Sequence, residues 1–163
     1  MYLELSMLRN KYDHFGRFLE DFKVGDVYKH RDKKTIVERD NNLFCQITMN
    51  HHPLHLDAEY AKSTIYKKIV VVGTFVASIA VGLSVLDISG KAIANLDYEQ
   101  IMHDAPVFLG DTLRAETEIL EVRESKTKPD RGIVFVETRA YNQNNEKVLT
   151  LRRHILIPKR EKK

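Results

Sequence analysis

The chain has 163 residues, and its 26 Lys and Arg residues against 23 Asp and Glu residues leave a formal charge of +3. This length predicts one domain over residues 1–163, which would bury about two thirds of the surface that the unfolded chain exposes. The basic excess lies in a tail at 159–163, and residues 1–15 form an N-terminal extension. The seven Tyr and seven Phe residues are not interleaved with basic residues, so nucleic acid is not an expected partner.

The single cysteine and the N-terminal residues indicate the compartment. Cys45 stands alone, which excludes an internal disulfide and a cysteine-based zinc site. The first ten residues carry Glu4 within their apolar part and lack a cleavage site of small residues, unlike a secretory signal. We therefore expect a cytoplasmic protein.

The first elements in chain order are a strand and a short helix. The strand is predicted at 26–37, after a turn at Gly25. The helix is predicted at 39–48, with Asp40 placed to cap it. The helix therefore leads directly into the segment with the most chemically reactive side chains.

That segment is a loop suited to proton transfer. Asn50, His51, His52, His55 and Asp57 lie within eight positions, and a proline stiffens the backbone between them. An imidazole near neutral pH can give or take a proton, so the sequence predicts a catalytic role for His55. The alternatives are that His55 packs under the loop, that the other two histidines are solvated, and that Asp57 caps the next helical turn.

The same loop contains atoms of the types that bind metal ions. His51 and His55 would share one face only if the segment were helical, and Pro53 disfavours a regular helix there. The spacing also differs from the helical metalloprotease motif. We therefore expect no bound metal.

An uncharged apolar run at 69–86 follows, with Gly73 and Thr74 near its start. Its length reaches the lower limit for a membrane span. However, it stands alone in a charged chain and lacks flanking aromatic belts. The run therefore predicts a long helix buried on all sides in the core, and a membrane is not an expected partner.

Downstream, the hydrophobic pattern changes to the alternation of half-buried strands. Turn residues separate the later segments closely enough for antiparallel hairpins. One apolar helix followed by an antiparallel sheet indicates an α+β fold. The predicted strands are 92–98, 112–122, 133–141 and 148–157.

These residues resemble a known family over most of the chain. The segments 53–57 and 106–113 are similar to single-domain MaoC-like acyl-CoA hydratases and dehydratases of the hot-dog fold, in which an antiparallel sheet wraps one long central helix. The segments 123–126 and 139–143 resemble a subgroup that includes mesaconyl-CoA hydratases, which act on branched C4 or C5 acyl-CoA substrates. The resemblance implies a hydro-lyase that reversibly hydrates an enoyl-CoA.

The hydratase loop of this family reads Ser-Gly-Asp-x-Asn-Pro-[Ile/Leu]-His, and its Asp and His activate the reacting water. On this chain the His falls on His55, the Asp on Asn50, and the Asn on His52. An amide cannot act as a carboxylate base. The departure therefore indicates that His52 supplies the missing acid or base, that Asn50 marks a substrate class, or that catalysis is lost. The mesaconyl-type subgroup also tends to carry Thr-Met-Asn there.

The resemblance also implies the substrate contacts. In the family a His-Gly pair opens the central helix, and the Gly amide points at the thioester oxygen; here that pair is Val72–Gly73, followed by Thr74. The alternative role for Gly73 is to permit close packing of the helix. Basic residues that could bind the phosphates of coenzyme A, or be merely solvated, are Lys67, Lys68, Arg123, Lys126, Lys128 and Arg131.

The resemblance implies a homodimer with its acyl site at the subunit interface, an acyl-CoA substrate and no separate cofactor. A hot-dog thioesterase is the first alternative, but such enzymes commonly place a carboxylate on the central helix, and 69–86 has none. A non-catalytic acyl-CoA-binding protein is the second alternative, because Asn50 departs from the family's Asp.

Overall fold

A computed structural model of the chain describes residues 14–161 and contains an antiparallel sheet. The main strand order is β1-β4-β5-β6-β3, and β2 also pairs with β4. The expected α+β class is confirmed. The strands are β1 (Val27–Lys29), β2 (Lys34–Thr35), β3 (Ala94–His103), β4 (Thr112–Glu124), β5 (Arg131–Tyr141) and β6 (Lys147–Pro158).

Within residues 14–161, three α-helices and several shorter turns accompany the sheet. Helix α1 covers Glu38–Thr48, α2 covers Ala58–Ser63, and α3 covers Gly73–Ser84. A π-helical turn, Val85–Ser89, continues α3, and 3₁₀ turns occur at Leu19–Asp21 and Pro53–His55. Helix α3 packs on the inner face of the sheet, where alternate residues of β4 and β6 are buried. The main core cluster includes Ile36, Val76, Ala80, Leu113, Leu149 and Leu151.

The structure corrects the predictions for the first strand and for the cap of the first helix. The segment 26–37 is two short strands rather than one, because the chain leaves the ladder after His30, whose side chain is fully buried. His30 lies 2.8 Å from Asp87 Oδ2 and 2.8 Å from Thr117 Oγ1, and these bonds fix it beneath the π-helical turn. Asp40 is not the cap of α1; Val37 occupies that position, and Asp40 pairs with a lysine.

The predicted apolar helix is shorter and less buried than expected. Residues 69–72 are extended, since Val71 N–H donates to a carbonyl on the neighbouring segment before β4. Within α3 the side chains facing the sheet are buried, whereas Thr74, Ser78 and Gly82 are exposed along the opposite face. These small and polar residues recur every four positions, so they form a single face that the sheet of this chain does not cover. Within residues 14–161, no helix has the length and apolar character needed to cross a bilayer.

The strand that follows α3 begins and ends later than predicted. The sequence predicts 92–98, whereas β3 extends to His103 with two bulges in its pairing to β6. The last three strands lie within a residue or two of their predicted bounds. The proposed extension up to residue 13 and the final two residues of the basic tail lie outside the described residues.

Candidate active site

A cavity of about 310 Å³ opens at the N-terminal end of α3, between that helix, the histidine loop and the end of β3. Two histidines from different elements line it, together with the glycine that starts the helix. The polar and backbone groups around it come from His55, Tyr66, Val70, Gly73, His103 and Asp104.

His55 is held in one tautomer by the backbone. It ends the 3₁₀ turn Pro53–His55, and its Nδ1 lies 2.7 Å from the carbonyl oxygen of Val70. A carbonyl can only accept, so Nδ1 carries the hydrogen and Nε2 keeps its lone pair. The predicted histidine therefore lines the cavity, and in its neutral form Nε2 is the ring nitrogen that can accept a proton.

A buried amide that the sequence did not single out ties this loop to the helix. Asn41 is fully buried in α1; its Nδ2 donates to the carbonyl of His55 at 2.9 Å, and its Oδ1 accepts from the N–H of Val72 at 3.1 Å. Because the Asn41 side chain is removed from solvent, the loss of either partner would be costly. Asn41 thus fixes His55 relative to the start of α3.

Gly73 permits a close contact at the start of α3. A Cβ atom placed on Gly73 would lie 2.6 Å from His103 Nε2 and 2.7 Å from its Cε1, which is too close for any other residue unless the ring moves. The N–H groups of Gly73 and Thr74 donate to no group in the described part of the chain, as is usual in the first turn of a helix. Gly73 therefore combines a close approach of a side chain with a free backbone donor.

Asn50 and His52 lie beside the cavity but do not line it. Asn50 Oδ1 accepts from the N–H of His52 at 3.4 Å, and His52 Nδ1 accepts from the N–H of Leu54 at 3.2 Å. The ring centroids of His52 and His55 are 5.9 Å apart. The predicted loop residues are therefore close to His55, but in the folded chain they bond to their own loop.

Asp57 occupies the position of a helix cap. Its Oδ1 accepts from the N–H groups of Glu59 and Tyr60, at 2.9 and 3.0 Å, at the start of α2. These bonds correspond to the capping alternative that the sequence left open, and the carboxylate does not line the cavity.

The remaining predicted contact residues are distributed over three places. Val72 is buried under the loop, while Thr74 lines a separate groove between α3 and β3. Lys67 and Lys68 line a depression of about 340 Å³, and Lys68 Nζ lies 3.9 Å from the ring centre of Phe108. Four predicted cations lie around the β4–β5 turn and do not reach the cavity. This turn is at the far end of β4, about 35 Å from the first residue of that strand. These cations are Arg123, Lys126, Lys128 and Arg131.

Three polar side chains that line the cavity were not predicted from the sequence: Tyr66, His103 and Asp104. The Asp104 carboxylate is already engaged, since it accepts from Thr150 Oγ1 at 2.8 Å and pairs with Lys147 Nζ at 3.2 Å. The available signal was the position of His103 directly before the turn that leads to Pro106. Because the predicted strand ends at residue 98, His103 lies outside it and carries no mark of its position at a strand end.

The MaoC like domain family matches residues 21–141 of the chain. The chain belongs to this family. This MaoC-like chain is 33% identical to mesaconyl-CoA hydratase of Cereibacter sphaeroides, over 90% of the chain and 42% of that protein. A solved MaoC domain protein from Chloroflexus aurantiacus is 32% identical with a TM-score of 0.85, over 90% of this chain and 41% of that one. The predicted family is thus confirmed.

The solved structures also establish the fold of this MaoC-like chain. A double hot-dog protein of Mycobacterium tuberculosis is 20% identical with a TM-score of 0.81, over 91% of this chain and 46% of that one. The predicted hot-dog fold is confirmed. The chain spans less than half the length of these three relatives.

Proposed function

We propose that the protein reversibly hydrates an enoyl-CoA thioester. The observation that supports this function is the fixed tautomer of His55, with a basic Nε2 in a cavity at the N-terminal end of α3. In hydration, Nε2 takes a proton from water, the oxygen bonds to Cβ, and the resulting imidazolium returns a proton to Cα. The free N–H of Gly73 donates a hydrogen bond to the thioester oxygen while that oxygen carries negative charge.

The relatives narrow the substrate class. The hydratase of Cereibacter sphaeroides is named for mesaconyl-CoA, a branched dicarboxylic thioester. We therefore place short branched or dicarboxylic acyl-CoA thioesters first among the substrates. Lys67 and Lys68 are the basic residues nearest in sequence to Gly73, and we assign them to the coenzyme A phosphates, with no separate cofactor.

We further propose a homodimer. The double hot-dog relative is about twice as long as this chain, so a second copy would supply the other half. The exposed face of α3 and the edge strand β3 form a groove that such a copy can cover; it includes Thr74, Ser78, Tyr98 and Ile101. The cytoplasmic location expected from the sequence is part of the same proposal.

The thioesterase alternative receives less support from the site. Helix α3 carries no carboxylate, and Asp104, which lines the cavity, is bound to Thr150 and Lys147. A non-catalytic acyl-CoA-binding protein is the other alternative, because Asn50 replaces the family's Asp. The products formed by the purified protein distinguish these possibilities.

The test is a panel of crotonyl-, mesaconyl- and 3-hydroxyacyl-CoA thioesters, monitored for loss or gain of the enoyl absorbance and for free thiol. We expect hydration without thiol release, and we expect His55→Ala to lower the rate about a hundredfold or more. His154→Ala is the matched control, since that imidazole bonds Asp97 at 2.9 Å and does not line the cavity. Thiol release, or equal rates in His55→Ala and wild type, would contradict the proposal.

A further inference from the structure

The imidazole of His103 rests on the first residue of α3. The distances of 2.6 and 2.7 Å from an ideal Gly73 Cβ to Nε2 and Cε1 put this edge of the ring in van der Waals contact with Gly73. His103 is the last residue of β3, thirty positions further along the chain, so the contact joins a strand end to a helix start. Both residues line the cavity that contains His55.

The Asp104 carboxylate and His55 Nδ1 have internal partners, whereas the ring of His103 has none among the described residues. Asp104 binds Thr150 and Lys147, and His55 Nδ1 binds a backbone carbonyl. The buried His30 and the outer His154 each bond a carboxylate. The His103 ring nitrogens are therefore available to a molecule in the cavity.

The distance between His103 and the backbone donor suits one shared acceptor. Within a residue, N and Cβ are separated by about 2.5 Å, so the Gly73 nitrogen is at most about 5 Å from His103 Nε2. Two donors that each lie about 2.9 Å from one oxygen are at most about 5.8 Å apart. A single oxygen atom can therefore accept from the Gly73 N–H and from His103 Nε2–H together.

We propose that His103 is a further catalytic residue, which donates a hydrogen bond from Nε2 to the thioester oxygen beside the Gly73 N–H. As the water oxygen bonds to Cβ, the C=C electron pair moves toward the carbonyl and negative charge develops on its oxygen. His103 and Gly73 stabilise that charge without transferring a proton. The charge returns to carbon when Cα takes the proton from His55. Only the kinetic test of this inference rests on the proposed hydration.

This assignment also accounts for a departure in the sequence. The resemblance implies an imidazole directly before the helix glycine, and here Val72 stands in that position. The side chain of Val72 is buried and can donate nothing to a substrate. His103 brings an imidazole to the same glycine from the end of β3.

The kinetic test compares His103→Phe with His103→Gln, using His154→Phe as the control on the outer face of the sheet. Phe keeps a ring without a donor, and Gln keeps an N–H donor that cannot titrate near neutral pH. We expect His103→Phe to lower kcat about a hundredfold for crotonyl-CoA and mesaconyl-CoA alike, and His103→Gln to lose less than about tenfold. Thermal unfolding of each variant checks its fold.

Three kinetic results would overturn the assignment. Equal large losses in His103→Phe and His103→Gln, together with a lost limb of the pH profile, would make His103 a proton carrier. A loss confined to mesaconyl-CoA would make it a reader of the acyl carboxylate. Full activity in His103→Phe would leave the ring with no part in hydration, while the proposed function would stand.

A spectroscopic test does not depend on turnover. Butyryl-CoA labelled with ¹³C at the thioester carbon is bound to each protein, and its carbonyl stretch is measured by isotope-edited infrared spectroscopy. We expect the wild type and His103→Gln to lower the stretching frequency, and His103→Phe to lower it less. If no thioester is hydrated but this pattern holds, the hydrogen bond from His103 to the thioester oxygen stands and the proposed hydration fails. The absence of any shift in the wild type overturns the role of His103, and the absence of thioester binding overturns the proposed function as well.

Discussion

His52 stabilises its own loop through Nδ1, which accepts from the N–H of Leu54 at 3.2 Å. The sequence favours a role for this imidazole as the missing acid or base beside His55. A nitrogen that accepts a backbone bond must break that bond before it can take a proton. The family's Asn at this position is a residue type that can form the same cap. We therefore infer that His52 positions the loop and leaves proton transfer to His55.

The variant His52→Asn tests this inference, because Asn keeps a side-chain acceptor for Leu54 and cannot titrate. We expect hydration to fall less than about tenfold, since exchanging one helix-capping group for another changes the stability by only about 1 kcal/mol or less. Steady-state rates for wild type, His52→Asn and His52→Ala give the answer. A loss of about a hundredfold in His52→Asn would restore His52 as the proton carrier.

A second variant, Asn50→Asp, tests the role of Asn50. Asn50 Oδ1 accepts from the N–H of His52, so Asn50→Asp can keep that bond while it restores the family's carboxylate. We expect Asn50→Asp to change mesaconyl-CoA hydration little, because the residue does not line the cavity. New crotonyl-CoA hydration in Asn50→Asp, absent from the wild type, would instead identify Asn50 as the residue that selects the substrate.

For single residues, the sequence pointed to positions that belong to short local motifs. His55 and Gly73 lie in short segments that resemble a family, and Asp57 precedes the helix that it caps. Asn41 and His103 were missed because their partners lie far away in sequence: Asn41 bonds a carbonyl fourteen positions on, and His103 contacts a glycine on another element. No local pattern marks such pairs, since the fold alone brings them together.

Among the strands, a charged cluster joins β4, β5 and β6 on the outer face of the sheet. Glu137 of β5 accepts from Arg139 Nε and from Arg152 Nε, each at 2.7 Å. Burial raises the pKa of Glu137, but the hydrogen bonds from Arg152 and Arg139 outweigh it and hold the pKa below its ordinary value. Arg139 also bonds Glu118 of β4, so the cluster spans three strands.

This cluster predicts a pH dependence of stability. Because the folded pKa of Glu137 lies below the unfolded one, its contribution is complete above the ordinary pKa and is lost as pH falls through the folded pKa. We expect Glu137→Gln to lower the free energy of unfolding by about 1–3 kcal/mol at pH 7 and to lower it less in acid. Urea titrations at pH 7 and pH 4 measure both values.

The matched control for that prediction is Glu121→Gln on β4. Its carboxylate is half exposed and lies 3.5 Å from Arg123, farther than the Glu137 carboxylate lies from its arginines. A surface pair of this kind contributes little, so we expect almost no change at either pH. If both variants lose stability equally and independently of pH, the cluster does not act as described.

The elements show where hydrophobic patterning succeeds and fails. Alternation along β4 and β5 predicted their bounds closely, because one face of each strand is buried against α3. It failed at 26–37, where a polar histidine is buried by hydrogen bonds to Asp87 and Thr117. It also overstated the burial of the central helix, because the uncharged run includes small and polar residues every four positions that are exposed in this chain.

For the whole molecule, the length of the relatives and one exposed groove both bear on assembly. This chain covers 46% of a double hot-dog protein, and its groove between α3 and β3 is lined by apolar and small side chains. Tyr98 and Ile101 of the edge strand are 49% and 43% exposed there. An unpaired strand edge beside an apolar groove is suited to cover by another polypeptide. A second copy of the chain is the partner that we propose.

The last prediction tests that assembly. Ser78 is exposed on α3 and lines the groove, so Ser78→Arg would place an unpaired charge in the proposed interface. We expect the wild type to have twice the chain mass of 18.9 kDa in sedimentation, and Ser78→Arg to dissociate with a Kd at least about a hundredfold higher, equivalent to about 2.7 kcal/mol. Hydration should fall with dissociation and recover as the protein concentration rises if the acyl site lies between subunits, as the family resemblance implies. Thr127→Arg, in the exposed turn between β4 and β5, carries the same charge as a control and should remain dimeric. A monomeric wild type with full hydration would show that one copy of this chain completes the site alone.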